Sequence, residues 1–220
     1  MDGGGEHVEH WHKRWLNNQT GWHKSTFNEL LVNHWPAIDV PPNCNVMVPM
    51  CGKSLDMIWL AQQGHSVTGF EMVKKAVTQF FSENQLDYEI EDKNGCSMHV
   101  SEPFAIHHGD FFQLKPEHIQ ADAWYDRAAI IAIEPSMRQA YVKQIRNQTR
   151  PGAIGLLITF AYPQEQMQGP PFSLHDEDVM ELFSNGFEVK CLEHVQLDDE
   201  KERGLTYLTS SVFKITRNED

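Results

Sequence analysis

At 220 residues, 40% of them hydrophobic, the chain is long enough to bury a large core as a single domain spanning 1–220. Its 31 acidic residues against 18 basic ones leave a formal charge of −13, which repels phosphate backbones and anionic lipid and argues against nucleic-acid or membrane partners. No apolar run reaches the length of a membrane span, and MDGGGEHVEHWHKRW reads as neither a signal nor a transit peptide. The four cysteines are scattered with no CxxC pair, so free thiols in a reducing, cytoplasmic setting are expected.

In chain order, residues 1–40 form a tryptophan- and histidine-rich segment that reads as largely helical, a lid over the rest of the domain. Ser25 is placed to cap a helix carrying Phe27, Leu30, Leu31 and His34, with Pro36 as its stop. Val46 to Val48 is a short apolar run bounded by turn residues, as in a strand buried on both faces. Ser54 to Gln63 reads as a helix stopped by Gly64, and Ser66 to Phe70 as a second strand. Val73 to Asn84 carries Ala76, Val77, Phe80 and Phe81 on one helical stripe. Residues 87–103 turn polar around Asn94-Gly95, the mark of a surface hairpin insertion. Strands are expected at Phe104 to His107 and Ala121 to Tyr125, then a helix around Met137 to Asn147 and the apolar strand Ala153 to Phe160. Ser173 and Asp176 read as the cap of a helix reaching Phe183. Strands at Phe187 to Val195 and Thr206 to Ile215 are joined by the charged turn 198–204. The alternation predicts an α/β fold with a mostly parallel seven-stranded sheet, helices on both faces, and one antiparallel strand near the C-terminus.

Ligands of such sheets sit at the carboxyl ends of the strands. Gly52 comes directly after the first strand, where glycine permits a tight turn into a helix and close approach of a ligand. Glu71 closes the second strand 19 residues later, the spacing at which a carboxylate accepts both ribose hydroxyls of an adenosyl cofactor. Asp110 and Phe111 come after the third strand, an acceptor for the adenine amino group beside an aromatic cover; a turn aspartate is the alternative. Arg127 comes after the fourth strand and suits a two-pronged contact with a carboxylate, unless it pairs with Asp126 or Glu71. Pro170 and Phe172 lie in a stiff apolar loop that suits a substrate wall. The twelve histidines show no HExxH or zinc-type spacing, so no metal site is assigned. Cys51, beside a helix N-terminus, is expected to carry some thiolate character but has no obvious base. A dinucleotide oxidoreductase would need three glycines where this chain has one.

Six blocks in one order carry a family resemblance over nearly the whole chain: Trp11-x3-Trp15 with Gly21-Trp22-His23; Val48-Pro-Met-Cys-Gly-Lys-Ser-Leu-Asp56; Gly64-His65-x-Val67-x-Gly69-x-Glu71; Gly109-Asp110-Phe-Phe112; Tyr125-Asp-Arg127-Ala-Ala; and Gly169-Pro-Pro-Phe172. The chain resembles the bacterial branch of the thiopurine S-methyltransferase family. The resemblance implies a class I methyltransferase fold with S-adenosyl-L-methionine as cofactor and S-adenosyl-L-homocysteine as product. It places the cofactor against Trp11, Trp15, Met50, Glu71, Asp110, Phe111 and Arg127, beside the Gly52 turn read above, and an acceptor-facing aromatic at Trp22; Pro170 and Phe172 of the stiff loop, and Arg127 toward an anionic acceptor, complete the expected acceptor residues. It further implies aromatic and heterocyclic thiols as acceptors, with selenium and tellurium species as related ones; a monomer is expected because no exposed heptad or apolar stripe is left over once the core is assigned. Met50 stands where the family usually has leucine, Trp22 where it has phenylalanine, and Pro163 where it commonly has aspartate. A halide or small-thiol methyltransferase, and a cofactor-binding sensor without turnover, are the rival expectations.

Overall fold

Alternating strands and helices build two groups of elements in the computed structural model, which describes residues 3–93, 96–116, 118–198 and 202–219. They separate into two compact units, one of Met1–Asn28 and Pro42–Leu114, the other of Glu29–Pro41 and Lys115–Asp220.

In the first unit, α1 (Gly3–Leu16) precedes β1 (Asn45–Val48), α3 (Asp56–Gln62), β2 (Ser66–Glu71), α4 (Lys74–Glu83), β3 (Glu89–Lys93), β4 (Cys96–Ser101) and β5 (Phe104–His108); α2 (Glu29–His34) belongs to the second unit. The strand order is β3-β4-β5-β2-β1. β1 and β5 flank β2 in parallel, and β2 is buried on both faces beyond Ser66, as a parallel strand between helices must be. Gly69 is small because a Cβ there would lie 2.8 Å from the Cys51 sulfur. Ala76, Val77, Phe80 and Phe81 of α4 are the buried stripe expected from their spacing. Asn84 closes that helix by donating its side-chain amide to the Phe80 carbonyl at 2.7 Å, satisfying an end group that has no helical partner.

The second unit adds β6 (Ala121–Arg127), α5 (Ala129–Ala132), α6 (Arg138–Gln148), β7 (Thr149–Ala161), α7 (Asp176–Leu182), β8 (Phe187–Gln196) and β9 (Thr209–Arg217), in the strand order β6-β7-β9-β8. β6 and β7 are parallel, whereas β9 lies between β7 and β8 antiparallel to both, the antiparallel C-terminal strand expected from the sequence. Gly155 of β7 lies against Trp124, which is fully buried and stacked on Phe183; a Cβ there would fall 1.9 Å from the indole. Gly155→Ala is therefore expected to cost about 1–3 kcal/mol by overpacking, read as a lowered denaturant midpoint at unchanged m.

Three expectations are corrected. The described residues hold nine strands, not seven, because the hairpin at 89–101 pairs antiparallel along β5 and lengthens the sheet edge. Its turn residues Asn94 and Gly95, and residues 199–201 of the turn at 198–204, lie outside the described residues. The cap of α7 is His175, reciprocated by Asp178, not Ser173 with Asp176. Ser173 instead accepts the Tyr162 amide, and three acidic residues fill the first turn of α7, where the helix dipole favours them. Ser25 is not the cap of α2, which begins at Glu29.

Candidate cofactor and acceptor sites

The turn after β1 holds two left-handed residues close together. Met50 has φ +48 and Gly52 φ +55, both in the left-handed region. A non-glycine residue there is uncommon and costs energy that its surroundings must over-determine, and such outliers gather at ligand sites. The Gly52 amide donates to Glu71 Oε2 at 2.9 Å, and Val73 N donates to Oε1 at 2.7 Å. The 19-residue spacing thus closes onto itself: the carboxylate at the end of β2 grips the glycine turn at the end of β1. Glu71 is 6% exposed, and burial pushes its carboxyl up to about 7 against the pull of its backbone donors. Each oxygen retains acceptor capacity beyond one amide.

Trp15 seals this turn. It is buried with Val73 and Ala76, while Trp11, Trp22 and Met72 pack against the group. Trp22 meets Trp11 and Trp15 edge to face, with centroids 5.1 and 6.0 Å apart, the arrangement aromatic quadrupoles favour. The end of α1 is held by Lys75, whose ammonium donates to the Trp15 carbonyl at 3.0 Å and to Asn18 at 2.8 Å, a cation at the negative helix end. A Cβ on Gly52 would come within 3.3 Å of the Trp15 ring. Gly52→Ala therefore combines a left-handed alanine, about 1–2 kcal/mol, with displacement of that ring. A cofactor affinity reduced at least several-fold is expected by calorimetry.

β5 runs parallel to β2, so its end lies beside Glu71: the Gly109 amide donates to the Glu71 carbonyl at 3.0 Å. Asp110 accepts from Phe112 N at 2.9 Å and caps the single turn 111–113. Phe111 is 2% exposed and its ring packs 5.5 Å from Phe70, a core position in the free protein. Cys51 is corrected: burial, then the charge of Glu71, pushes its thiol well above the usual range, opposite to the expected thiolate character.

In the second unit, Arg127 ends β6 and is half-buried. Asp126 is fully enclosed and takes Ala129 N, Ile130 N and the Tyr141 hydroxyl, three donors that the sequence did not suggest. Phe172 is half-buried, and its amide donates to the Ile131 carbonyl at 2.6 Å. Arg138 donates to the carbonyls of Phe172 and Ser173 at 3.3 and 3.0 Å, and the Tyr162 hydroxyl donates to Pro171. Gln164 joins Tyr162, Met167 O and Ser173 N. The loop holding Pro170 and Phe172 is thereby tied by hydrogen bonds to Ile131, Arg138, Tyr162 and Gln164. The signals missed in sequence were Tyr141, Arg138 and Gln164; only the polar character of two of them within apolar surroundings could have drawn notice.

The first unit thus gathers Trp11, Trp15, Trp22, Met50, Gly52, Glu71, Asp110 and Phe111; the second carries Arg127, Pro170 and Phe172. A family model described as thiopurine S-methyltransferase matches residues 6–218. The chain belongs to the thiopurine S-methyltransferase family. It is 40% identical over 212 residues to the thiopurine S-methyltransferase of Shewanella loihica, covering 94% of this chain and 97% of that one. With the Pseudomonas aeruginosa enzyme of that name the figures are 38% over 215 residues, 96% and 99%. Among solved structures, the Burkholderia thailandensis 1,6-didemethyltoxoflavin-N1-methyltransferase, crystallised with S-adenosylhomocysteine, superposes with TM-score 0.67 at 15% identity, covering 96% of this chain and 87% of that one. A SAM-dependent methyltransferase from Methanosarcina mazei gives TM-score 0.63 at 15% identity, covering 88% and 99%. Family membership makes the chain an S-adenosylmethionine-dependent S-methyltransferase, with that fold and that cofactor.

The residues present fit the cofactor. A buried carboxylate held by backbone amides has acceptor capacity suited to a vicinal diol, and Gly52 beside it adds no side chain of its own to a turn that the Trp15 ring covers.

Proposed function

We propose that this family member methylates the sulfur of aromatic and heterocyclic thiols of thiopurine-like shape, and chalcogen acceptors of similar softness, including selenium and tellurium species. The observation that carries the reading is the edge-to-face group of Trp11, Trp15 and Trp22 packed beside the Gly52 turn. Flat aromatic walls suit a flat aromatic acceptor. The names of the Shewanella and Pseudomonas relatives support the same class.

When bound, the cofactor supplies an electrophilic methyl group on a sulfonium sulfur. Glu71 would accept the ribose hydroxyls while keeping its donors from Gly52 N and Val73 N. Met50, Gly52, Trp11 and Trp15 would hold the rest of the adenosyl-methionyl group, and Asp110 with Phe111 the adenine. Trp22 of the first unit and, taken separately, Pro170 and Phe172 of the second are the residues read as acceptor residues. Arg127 holds an anionic group, the cofactor carboxylate or the acceptor's own charge. A thiol already ionised at neutral pH needs no general base, so these side chains act by alignment and by excluding water from opposite charges that cancel as the methyl moves. Pro163 leaves the loop without the aspartate common in the family. Gln164 fixes the loop by its amide instead, so the acceptor is placed by shape more than by a carboxylate.

We further read the protein as a monomer, because the sequence leaves no heptad or apolar stripe over once the core is assigned, and as cytoplasmic, because its cysteines are free; light scattering checks the first part. The test of the acceptor class is a panel with labelled cofactor: an aromatic thiol, a thiopurine, selenite, tellurite, iodide and a phenol. Transfer to thiols with the phenol inert is expected. Preference for iodide would turn the reading to a halide methyltransferase. Cofactor binding with no transfer to any acceptor would turn it to a sensor.

A further inference from the structure

Asp126 is 1% exposed, and its carboxylate takes three donors: Ala129 N at 2.8 Å, Ile130 N at 3.2 Å and Tyr141 Oη at 2.7 Å. Between the anchored Asp126 and the start of α5, Ala128 adopts φ +83, a left-handed conformation an alanine holds only when its surroundings enforce it. Arg127 sits between the anchor and the strained residue, so its backbone direction is set by both. Tyr141 reaches in from α6, and three residues earlier on the same helix face Arg138 grips the carbonyls of Phe172 and Ser173. One face of α6 therefore holds both segments assigned to the acceptor side of this unit.

We propose that Asp126, oriented by Tyr141, is a positioning residue for methyl transfer: its ionised carboxylate locks the 126–130 turn that aims Arg127, and protonating it releases that turn. The proposal rests on the reading of Arg127 as a site residue. A neutral carboxyl can still accept from these three donors, but its bonds to them lose their charge assistance and weaken. Burial pushes Asp126 up to about 6, opposed by the Tyr141 bond, the two amides and the neighbouring Arg127 charge. The Tyr141 phenol itself is pushed further up, by burial and then by Asp126, so it stays a donor throughout the working range. The lock thus opens as pH falls through about 6.

The test measures kcat/KM for the acceptor at saturating cofactor between pH 5 and 8.5. The acceptor is an aromatic thiol ionised across that range, so its own titration does not intrude. Wild type is expected to lose activity along a one-proton limb near pH 6. Tyr141→Phe removes a donor to the carboxylate and is expected to move the limb to higher pH, with a loss on the order of tenfold at neutral pH, the scale of one charge-assisted hydrogen bond. Asp126→Asn is expected to abolish the limb at a lower plateau. A purely structural residue would lower the plateau without moving the limb. The proposal is overturned if wild type has no such limb, if Asp126→Asn retains it, or if Tyr141→Phe leaves it in place; the last comparison stands even if Asp126→Asn does not fold. The Arg127 Nε resonance reads positioning without activity. It should track one titration near pH 6 in wild type and none in Asp126→Asn, and indifference to that titration overturns the proposal as well. Full activity in Arg127→Ala would instead sink the reading of Arg127 as a site residue.

Discussion

Glu71→Gln is expected to weaken S-adenosylhomocysteine binding by about 2–4 kcal/mol, roughly 30- to 1000-fold, because it removes charge-assisted bonds to the ribose hydroxyls. It also turns an amide donor toward Gly52 N or Val73 N, both of which donate to the carboxylate in the wild type. Burial pushes the Glu71 carboxyl up to about 7, so near neutral pH part of the free protein carries a proton there. Hydroxyl donors favour the ionised form, so cofactor binding near neutral pH should release protons, with the release falling toward none as pH rises. Calorimetry in two buffers of different ionisation heat reads this directly. The same shift sets the sign of the stability effect. The folded pKa lies above the unfolded value of about 4.3, so the folded state holds the extra proton between the two. Wild type should then gain stability relative to Glu71→Gln as pH falls from 8 toward 5. A variant that binds S-adenosylhomocysteine as tightly as wild type would remove Glu71 from the site.

Trp15→Ala is expected to be the most destabilising single change in the first unit. The ring is 3% exposed, packs on Val73 and Ala76, supports Trp11, Trp22 and Met72, and closes over Gly52. Emptying a buried tryptophan costs about 3–5 kcal/mol, a fall in Tm of roughly 6–20 °C for a chain of this size. Cofactor affinity should fall with it, since the wall of the turn is gone. Trp15→Phe keeps an aromatic filler and should lose less of both. A Tm change under about 2 °C for the alanine variant would mean the tryptophan group is not a packed unit.

The sequence carried the elements whose signals are local. The apolar run at Val46, the glycine turn and the acid 19 residues on made the Gly52–Glu71 pairing legible, and the hydrogen bond between them is the physical form of that spacing. The stripe of α4 was legible because helical period exposes it. The hairpin at 89–101 read as a surface excursion because its first strand, EIEDK, is charged; pairing with an edge needs no apolar pattern. The short helix α5 had no expectation of its own, because a short apolar run does not distinguish strand from buried helix. Cys51 misled because helix-end proximity was visible and burial was not. Asp126 met Tyr141 across 15 residues, and Arg138 met Phe172 across 34, separations that carry no periodic signature.

The most direct test of the central claim is a methyl-transfer assay with purified protein, labelled S-adenosylmethionine and an aromatic thiol, scoring both products. Equimolar S-adenosylhomocysteine and S-methyl thioether, lost in Glu71→Gln at sub-saturating cofactor and restored as cofactor is raised, is the predicted result. No thioether formed from any thiol by folded, cofactor-bound protein would contradict the account.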